Sequence, residues 1–138
     1  MIFALDTNVI SCLLRPSKNL KVVEQFETAI EQGHDYVIPP LCYYEIMWYL
    51  LRKNAKGQLR VFNELYQNTF IKVSMGEDDF LLAAKIRADL DAKGLPIGNS
   101  DADIFIAAYC LVNDYTLVTD NIDHFARVEC LELINWKV

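Results

Sequence analysis

Residues 103–120 read D-I-F-I-A-A-Y-C-L-V-N-D-Y-T-L-V-T-D and contain a helix signal, a strand signal and an acid at each end. The run Ile104 to Val112 is apolar almost all round, which predicts a helix that packs on several sides. The run Thr116 to Val118 is short and bounded by polar residues, which predicts a buried strand. A helix followed at once by a buried strand is typical of an α/β fold.

A similar alternation extends along the whole chain. Buried strands are predicted at Ile2 to Leu5, Tyr36 to Ile38, Phe70 to Val73, Thr116 to Val118 and Leu131 to Ile134, and helices at residues 20–32, 41–54, 57–68, 77–93 and 103–113. The helix over 77–93 has the clearest signals: acids in its first turn, an Asp89 to Lys93 pair, and Gly94 as its stop. Its predicted apolar face contains Phe80, Leu81, Ala84, Ile86 and Leu90. We therefore expect an α/β fold in which helices flank a central parallel five-stranded sheet.

Length and composition limit the class of protein. The chain has 138 residues, 53% hydrophobic side chains and a formal net charge of -6. We expect a single domain over residues 1–138 with a substantial core. The start M-I-F-A-L-D lacks a signal-peptide pattern and no apolar run approaches the ~20 residues that span a bilayer, so we expect a cytoplasmic protein without a membrane partner. The acidic balance argues against a general nucleic-acid binder, but not against an enzyme with a metal ion and a local basic patch.

Cysteine and histidine offer little catalytic chemistry. Cys12, Cys42, Cys110 and Cys130 lie far apart in hydrophobic segments and show no metal-ligand spacing, so we expect buried free thiols. The chain has only 2 histidines, so few imidazole groups are present for a zinc site or a catalytic triad.

Carboxylates follow or precede the predicted strands at one edge of the sheet. Asp6 and Asp120 stand just past strands, and the helix that begins with Asp101 and Asp103 leads into the fourth strand. Right-handed crossovers place the carboxyl ends of parallel strands at the same edge. Glu45 falls in the first turns of the helix after the second strand, which also begin there. We therefore expect these side chains to converge.

Each acid also has a purely structural explanation. Asp6 fits the N-cap of a helix beginning at Asn8, Ser100 with Asp103 fits a capping box, Asp120 fits the cap of a turn at Ile122, Asp101 fits a helix dipole, and Glu45 fits a surface ion pair. Glu45 fits capping least well, because it stands inside a helix whose predicted apolar face is Tyr43, Met47, Leu50 and Leu51. A functional cluster is favoured only when these acids are considered together.

Several like charges at one edge repel one another unless a cation sits among them. Carboxylate oxygens without thiolate or imidazole ligands select Mg²⁺ or Mn²⁺ over zinc. Such an ion orients a phosphodiester and stabilises charge on the leaving oxygen. Phosphodiester hydrolysis is the chemistry that this cluster favours.

The chain resembles a PIN-domain ribonuclease, and more closely a VapC-type toxin of bacterial toxin–antitoxin pairs. The resemblance spans the whole length and is carried by L-D-T-N at Asp6 to Asn8, E-I at Glu45 to Ile46, P-I-G followed by D-I-F-I-A-A at Asp103 to Ala108, and L-V-T-D-N-I-D-H-F at Leu117 to Phe125. It implies a single three-layer PIN-like domain with Mg²⁺-dependent endoribonuclease activity on single-stranded RNA. It also implies a homodimer that a cognate antitoxin protein holds in check.

The resemblance assigns roles residue by residue. Asp6, Glu45 and Asp103 match the first three acids of the family, and Asp101 is an extra carboxylate. The fourth acidic position falls on Asp120 or Asn121, and Thr7, Asn8 and Thr119 match positions that would brace the carboxylates. Asp6 and Asp103 would bind Mg²⁺ directly, Glu45 would hold the ion or orient the attacking water, and Asp101 or Asp120 would contribute through water.

Basic and aromatic residues suggest a path for RNA. Arg15, Lys18, Arg52, Lys53 and Lys56 are candidates for guiding its backbone, although a solvated helix face explains them equally well. Trp48 and Tyr49 fit a partner groove, a dimer face or the core.

Two other functions remain open. An aspartyl-phosphate phosphotransfer domain or phosphatase also groups acids at this edge, but Asn8 stands where a phosphatase would have its second Asp, and no Lys follows Val118 as a phospho-accepting domain requires. In a non-catalytic binding module, the acids would serve only as caps.

Overall fold

A parallel five-stranded sheet forms the centre of the fold. The computed structural model describes residues 1–15, 19–96 and 101–138. The strands are β1 (Ile2–Leu5), β2 (Asp35–Val37), β3 (Phe70–Ile71), β4 (Thr116–Val118) and β5 (Leu133–Ile134). They lie in the order β3-β2-β1-β4-β5 with every neighbouring pair parallel. The predicted α/β class, with helices flanking this sheet, is confirmed.

Helices make the connections between the strands. They are α1 (Thr7–Leu14), α2 (Leu20–Glu31), α3 (Pro40–Arg52), α4 (Lys56–Thr69), α5 (Glu77–Lys93), α6 (Ala102–Asn113) and α7 (Ile122–Phe125). As its sequence predicts, α6 packs on several sides, against α5, α3 and β4. In the three described ranges, no helix is long and apolar enough to cross a membrane.

The edge strands are shorter than predicted. β3 ends at Ile71 rather than Val73, and β5 begins at Leu133 rather than Leu131. Each edge strand pairs with one neighbour only, and the paired stretch covers only part of each predicted strand.

The sequence predicts α1 only under the purely structural explanation of Asp6, in which Asp6 caps a helix that begins at Asn8. The helix begins at Thr7, and Asp6 caps it by accepting from the Thr7 N–H at 2.8 Å. Val9, Ile10 and Cys12 form its buried face.

Two predicted apolar faces are partly wrong. On α3, Leu51 is exposed and the fully buried positions are Cys42, Ile46 and Leu50. On α5, Leu90 is buried as predicted, but Phe80, Leu81 and Ala84 are exposed and the unpredicted Ala83 is buried. Two other predictions for α5 are confirmed. Lys93 pairs with Asp89 at 2.9 Å, and Gly94, with a φ of 65°, ends the helix.

Three cysteines are buried free thiols as predicted, and Cys130 is exposed, contrary to that prediction. Cys130 has a φ of 67° and lies in the turn before β5, outside the helices and strands that form the core. Lys18, Ser100 and the Ile97–Gly98 part of the P-I-G motif lie outside the described residues.

The C-terminal segment is anchored in the core. Trp136 is 4% exposed, and its ring centroid lies 5.6 Å from that of Phe3 and 6.2 Å from that of Tyr36. The last residues of the chain therefore contact the first two strands.

Candidate active site

Asp6 lies at the centre of the carboxyl edge of the sheet. It follows β1, the middle strand, and its N–H donates to the Val118 carbonyl at 3.0 Å. Its side chain is buried, with 4% of the residue exposed. A carboxylate in such a place needs several hydrogen-bond donors.

Four donors hold the Asp6 carboxylate. Oδ1 accepts from the Thr7 N–H at 2.8 Å and from Cys42 Sγ at 3.5 Å. Oδ2 accepts from Asn8 Nδ2 at 3.1 Å and from Thr119 Oγ1 at 2.7 Å. Donors from α1, α3 and the end of β4 therefore fix the orientation of this side chain.

Glu45 extends from the second turn of α3 toward the same edge. It is half-buried, and its Oε1 accepts a hydrogen bond from Thr7 Oγ1 at 3.1 Å. Burial raises the pKa of Glu45; the Thr7 hydrogen bond lowers that pKa, and the charges of Asp6 and Asp103 raise it further. Glu45 therefore shares one electrostatic environment with the other two acids.

Asp103 lies in the first turn of α6, which begins at this edge. Burial raises the pKa of Asp103, the charge of Asp6 raises it further, and His124 lowers it. The charge of Asp6 therefore reaches both Glu45 and Asp103, and the charge of Asp103 reaches Glu45.

Asp101 and Asp120 are exposed and each pairs with a cation. Asp101 contacts the guanidinium of Arg87, and Asp120 Oδ2 lies 2.6 Å from Lys137 Nζ. Asp120 does not cap a turn at Ile122, since α7 begins there without a side-chain cap.

Backbone hydrogen bonds connect Asp120 and Asn121 to the centre of the site. The Asp120 N–H donates to Asn8 Oδ1 at 3.3 Å, and the Asn121 N–H donates to Thr119 Oγ1 at 3.0 Å. Asn8 and Thr119 both donate to Asp6. These polar side chains brace the carboxylate while also forming local turn hydrogen bonds.

The carboxylates of the site are ligands that suit a hard cation, although they do not lie close enough together to hold one. Among the described residues, no three His, Cys, Asp or Glu side chains lie close enough to hold one ion. Carboxylate oxygens are nonetheless the ligands that Mg²⁺ prefers. The negative charges of Asp6 and Asp103, which raise the pKa of Glu45, are charges that a divalent cation would offset.

Basic and aromatic residues lie near Glu45 on one side of the site. Arg15 lines a groove with Glu45, Trp48 and Tyr49. The Arg52 guanidinium lies 4.5 Å from the centroid of the Trp48 ring. Lys53 and Lys56 are exposed at the end of α3 and the start of α4.

Four residues at or near the site were not expected there. Cys42 donates to Asp6, His124 acts on the charge of Asp103, and Arg87 and Lys137 pair with the outer acids. Only His124 had a signal, since it stands in the motif D-N-I-D-H-F. The other contacts join segments that are distant in sequence.

Comparisons with known proteins agree on the fold. The PIN domain family model matches residues 3–130. Ribonuclease VapC2 of Rickettsia felis is 26% identical over 136 residues, which cover 99% of this chain and 98% of that protein.

Solved structures give the same result. A chain of VapBC2 from Rickettsia felis, bound to a DNA fragment from their promoter, has a TM-score of 0.83 at 25% identity, covering 99% of both chains. A chain of VapBC-1 from nontypeable Haemophilus influenzae has a TM-score of 0.82 at 25% identity, covering 100% of both. Because the family model covers nearly the whole length, this chain belongs to the PIN domain family.

Proposed function

We propose that the protein is a Mg²⁺-dependent endoribonuclease that hydrolyses phosphodiester bonds in single-stranded RNA, and that it is the toxin of a toxin–antitoxin pair. The observation that carries this proposal is that Asp6, Glu45 and Asp103 lie at the carboxyl edge of the sheet, where the charge of Asp6 raises the pKa of both Glu45 and Asp103. The similarity to a protein named ribonuclease VapC2 supports the choice of RNA.

Each acid has a separate role in the proposal. Asp6 and Asp103 would hold Mg²⁺ or Mn²⁺, and Glu45 would complete the set. When bound, the ion supplies positive charge that offsets the repulsion between these carboxylates and the phosphate. Asp101 and Asp120 would contribute through water only after leaving Arg87 and Lys137.

In this proposal, Glu45 accepts the proton of the attacking water. Its raised pKa makes the carboxylate a better proton acceptor, and Thr7 orients one of its oxygens. The water oxygen would attack phosphorus in line and its proton would pass to Glu45. The bond from phosphorus to the leaving oxygen would break, and that oxygen would take up a proton from solvent. Thr7, Asn8 and Thr119 keep the carboxylates in position during this step.

The proposed partners follow from the relatives. Two of the solved neighbours are VapBC proteins, and we propose that a cognate antitoxin also inhibits this chain in the cytoplasm. A homodimer is part of the same proposal. Sedimentation of the purified protein tests the dimer, and expression in a bacterium with and without the antitoxin gene tests the inhibition.

A cleavage assay on RNAs of defined sequence tests the activity. We expect cleavage with Mg²⁺ and none with EDTA. Asp103→Asn should abolish cleavage, and it is a cleaner test than Asp6→Ala, which would also remove the cap of α1.

Asp78→Asn is the matched control. Asp78 is an exposed acid at the start of α5, next to Asp79, which contacts Asn113 at the end of α6 remote from Asp103. This variant should cleave like the unmodified protein. Full activity of Asp103→Asn, or cleavage that continues in EDTA, would contradict the proposal.

A further inference from the structure

Donors from the protein itself fill the lone-pair sites of the Asp6 carboxylate. An ionised carboxylate has about four such sites, two on each oxygen. Oδ1 accepts from the Thr7 N–H and from Cys42 Sγ. Oδ2 accepts from Asn8 Nδ2 and from Thr119 Oγ1. These donors, all among the described residues, therefore occupy every position at which Asp6 could bind a cation.

The carboxylates of the site also lie too far apart, within the described ranges, to hold one ion. Binding of a cation at Asp6 therefore requires the side chains around it to rearrange. At least one donor has to give up its hydrogen bond to Asp6. Which donor leaves depends on how firmly each of them is held.

Three of the donors are held by further contacts. The Thr7 N–H belongs to the backbone at the start of α1. Asn8 Oδ1 accepts from the Asp120 N–H at 3.3 Å, and Thr119 Oγ1 accepts from the Asn121 N–H at 3.0 Å. Turning any of these groups away from the carboxylate would break other hydrogen bonds or unwind the first turn of the helix.

Cys42 is the donor that can leave at the smallest cost. A thiol is a weak hydrogen-bond donor, and Cys42 Sγ lies 3.5 Å from Asp6 Oδ1. Rotation about the Cβ–Sγ bond redirects the S–H and moves no other atom. The Thr7 side chain lies close enough to lower the pKa of the thiol. Because the Thr7 hydroxyl donates its own proton to Glu45, its oxygen can accept the S–H instead.

The surroundings of Cys42 keep its thiol protonated and away from water. Burial raises the pKa of the thiol, and the charge of Asp6 raises it further. The residue is fully buried, so solvent does not compete for the S–H. Glu45 stands three positions further along α3, and this spacing places both side chains on the same face. Helix α3 therefore brings both a donor and an acid to this edge of the sheet.

We propose that Cys42 is a positioning residue of the metal-free protein: its S–H holds Asp6 in place until a divalent cation binds, and then turns from Asp6 to Thr7. The thiol thereby satisfies a buried carboxylate and competes with the cation less strongly than a hydroxyl would. This inference rests on the proposed function, because it takes Asp6 as a ligand of Mg²⁺ or Mn²⁺. It adds that the affinity for the ion depends on the donor at position 42.

Infrared difference spectroscopy follows the S–H directly. The S–H stretching band lies where other protein groups do not absorb, and it moves to higher wavenumber when the hydrogen bond weakens. A bond to a carboxylate is stronger than one to a neutral hydroxyl. Saturating Mg²⁺ should therefore shift the Cys42 band upward in the full-length protein. That band is assigned by its loss in Cys42→Ala and in Cys42→Ser.

Metal affinity gives a second measurement that does not depend on cleavage. Mn²⁺ binding is recorded by electron paramagnetic resonance. Cys42→Ala should strengthen binding a few-fold, because it leaves one lone pair of Asp6 free. Cys42→Ser should weaken binding a few-fold, because a hydroxyl is a stronger donor than a thiol. If Cys42 only filled space, neither variant would bind Mn²⁺ more tightly than the unmodified protein.

Cys12→Ala is the matched control. Cys12 is also fully buried, on the neighbouring helix α1, and it is not one of the donors to Asp6 that the described residues provide. Its substitution removes the same sulfur atom from the core, and Mn²⁺ affinity should stay unchanged. Thermal unfolding in EDTA shows whether each variant is folded. If Cys42→Ala does not fold, the band shift and the affinity of Cys42→Ser decide the question.

The outcomes separate this inference from the proposed hydrolysis. If Mg²⁺ binds and the Cys42 band does not move, or if folded Cys42→Ala binds Mn²⁺ no better than the unmodified protein, the inference is wrong, even where cleavage that depends on Asp103 persists. If the band shifts but no condition gives RNA cleavage, the role of Cys42 stands and the hydrolysis is wrong. If neither ion binds the unmodified protein, both are wrong.

Discussion

Glu45 and Asp103 are held where negative charge is costly. Burial and neighbouring carboxylates raise the pKa of both groups, so the folded protein binds their protons more tightly than the unfolded chain does. The stability that they contribute is fully present below their ordinary pKa and is lost as pH rises through the raised values. Near neutral pH they therefore destabilise the metal-free protein.

Removing one of these charges should stabilise the protein when no metal is bound. We expect Glu45→Gln and Asp103→Asn to raise the Tm in EDTA at neutral pH, measured by calorimetry. The gain should shrink as pH falls toward about 4, where the carboxyls become protonated. Saturating Mg²⁺ should reverse the order, because it binds the unmodified site better. A gain that is independent of pH would contradict this account.

Lys137 competes with any cation for Asp120. Its Nζ lies 2.6 Å from Asp120 Oδ2, and Asp120 is joined to Asp6 through Asn8. We expect Lys137→Met to strengthen Mn²⁺ binding a few-fold, measured by electron paramagnetic resonance, because it removes a positive charge and frees a carboxylate.

Lys93→Met offers a comparison at a distant ion pair. Lys93 contacts Asp89 and Glu129, and its loss should not change Mn²⁺ affinity. An equal response to the two substitutions would exclude a local effect of Lys137.

The ends of helices give a test at the scale of the element. Gly94 closes α5 with a φ of 65°, whereas Gly57 lies inside α4, and a Cβ at either position would meet no atom within 4 Å. Gly94→Ala should cost about 1 kcal/mol, since only the left-handed backbone opposes it. Gly57→Ala should stabilise by roughly 0.5 kcal/mol. Urea unfolding measures both changes in stability. If both substitutions destabilised the protein, steric room for the new Cβ, rather than the backbone conformation, would determine the effect.

The sequence predicts central elements better than edge elements. β1 and β4 have their predicted bounds, and each is buried and pairs on both sides. β2 also pairs on both sides but spans Asp35–Val37, one residue earlier than the predicted Tyr36 to Ile38. The length of β3 depends on how many residues of β2 are available for pairing. The sequence of β3 alone does not predict that number. Helix α1 has only two turns, which is too short for a clear periodic signal beside the L-D-T-N motif.

At the scale of the whole molecule, Trp136 connects the end of the chain to its start. It packs against Phe3 and Tyr36, and Trp136→Ala should cost about 3–5 kcal/mol in urea unfolding. Trp48→Ala, at an exposed position, should change stability by less than about 0.5 kcal/mol. Similar losses in the two variants would contradict the burial difference between them.

Topology predicts the centre of the site but not its surroundings. Parallel strands with right-handed crossovers are enough to bring Asp6, Glu45 and Asp103 to one edge. Pairing of Asp120 with Lys137 depends on how the C-terminal segment docks after β5. The donation from Cys42 to Asp6 depends on the rotation of α3 about its axis. Tertiary packing sets both, and neither leaves a local pattern in the sequence.

The hydrogen bond from Thr119 to Asp6 joins residues 113 positions apart. During synthesis the chain emerges from its N-terminus, so Asp6 is made long before the strand that carries Thr119. An incomplete chain that lacks β4 and Thr119 therefore has its first acid without one of the four donors that hold it. The hydrogen bonds at Asp6 are complete only once Thr119 has been added, and fragments released before that point should be inert.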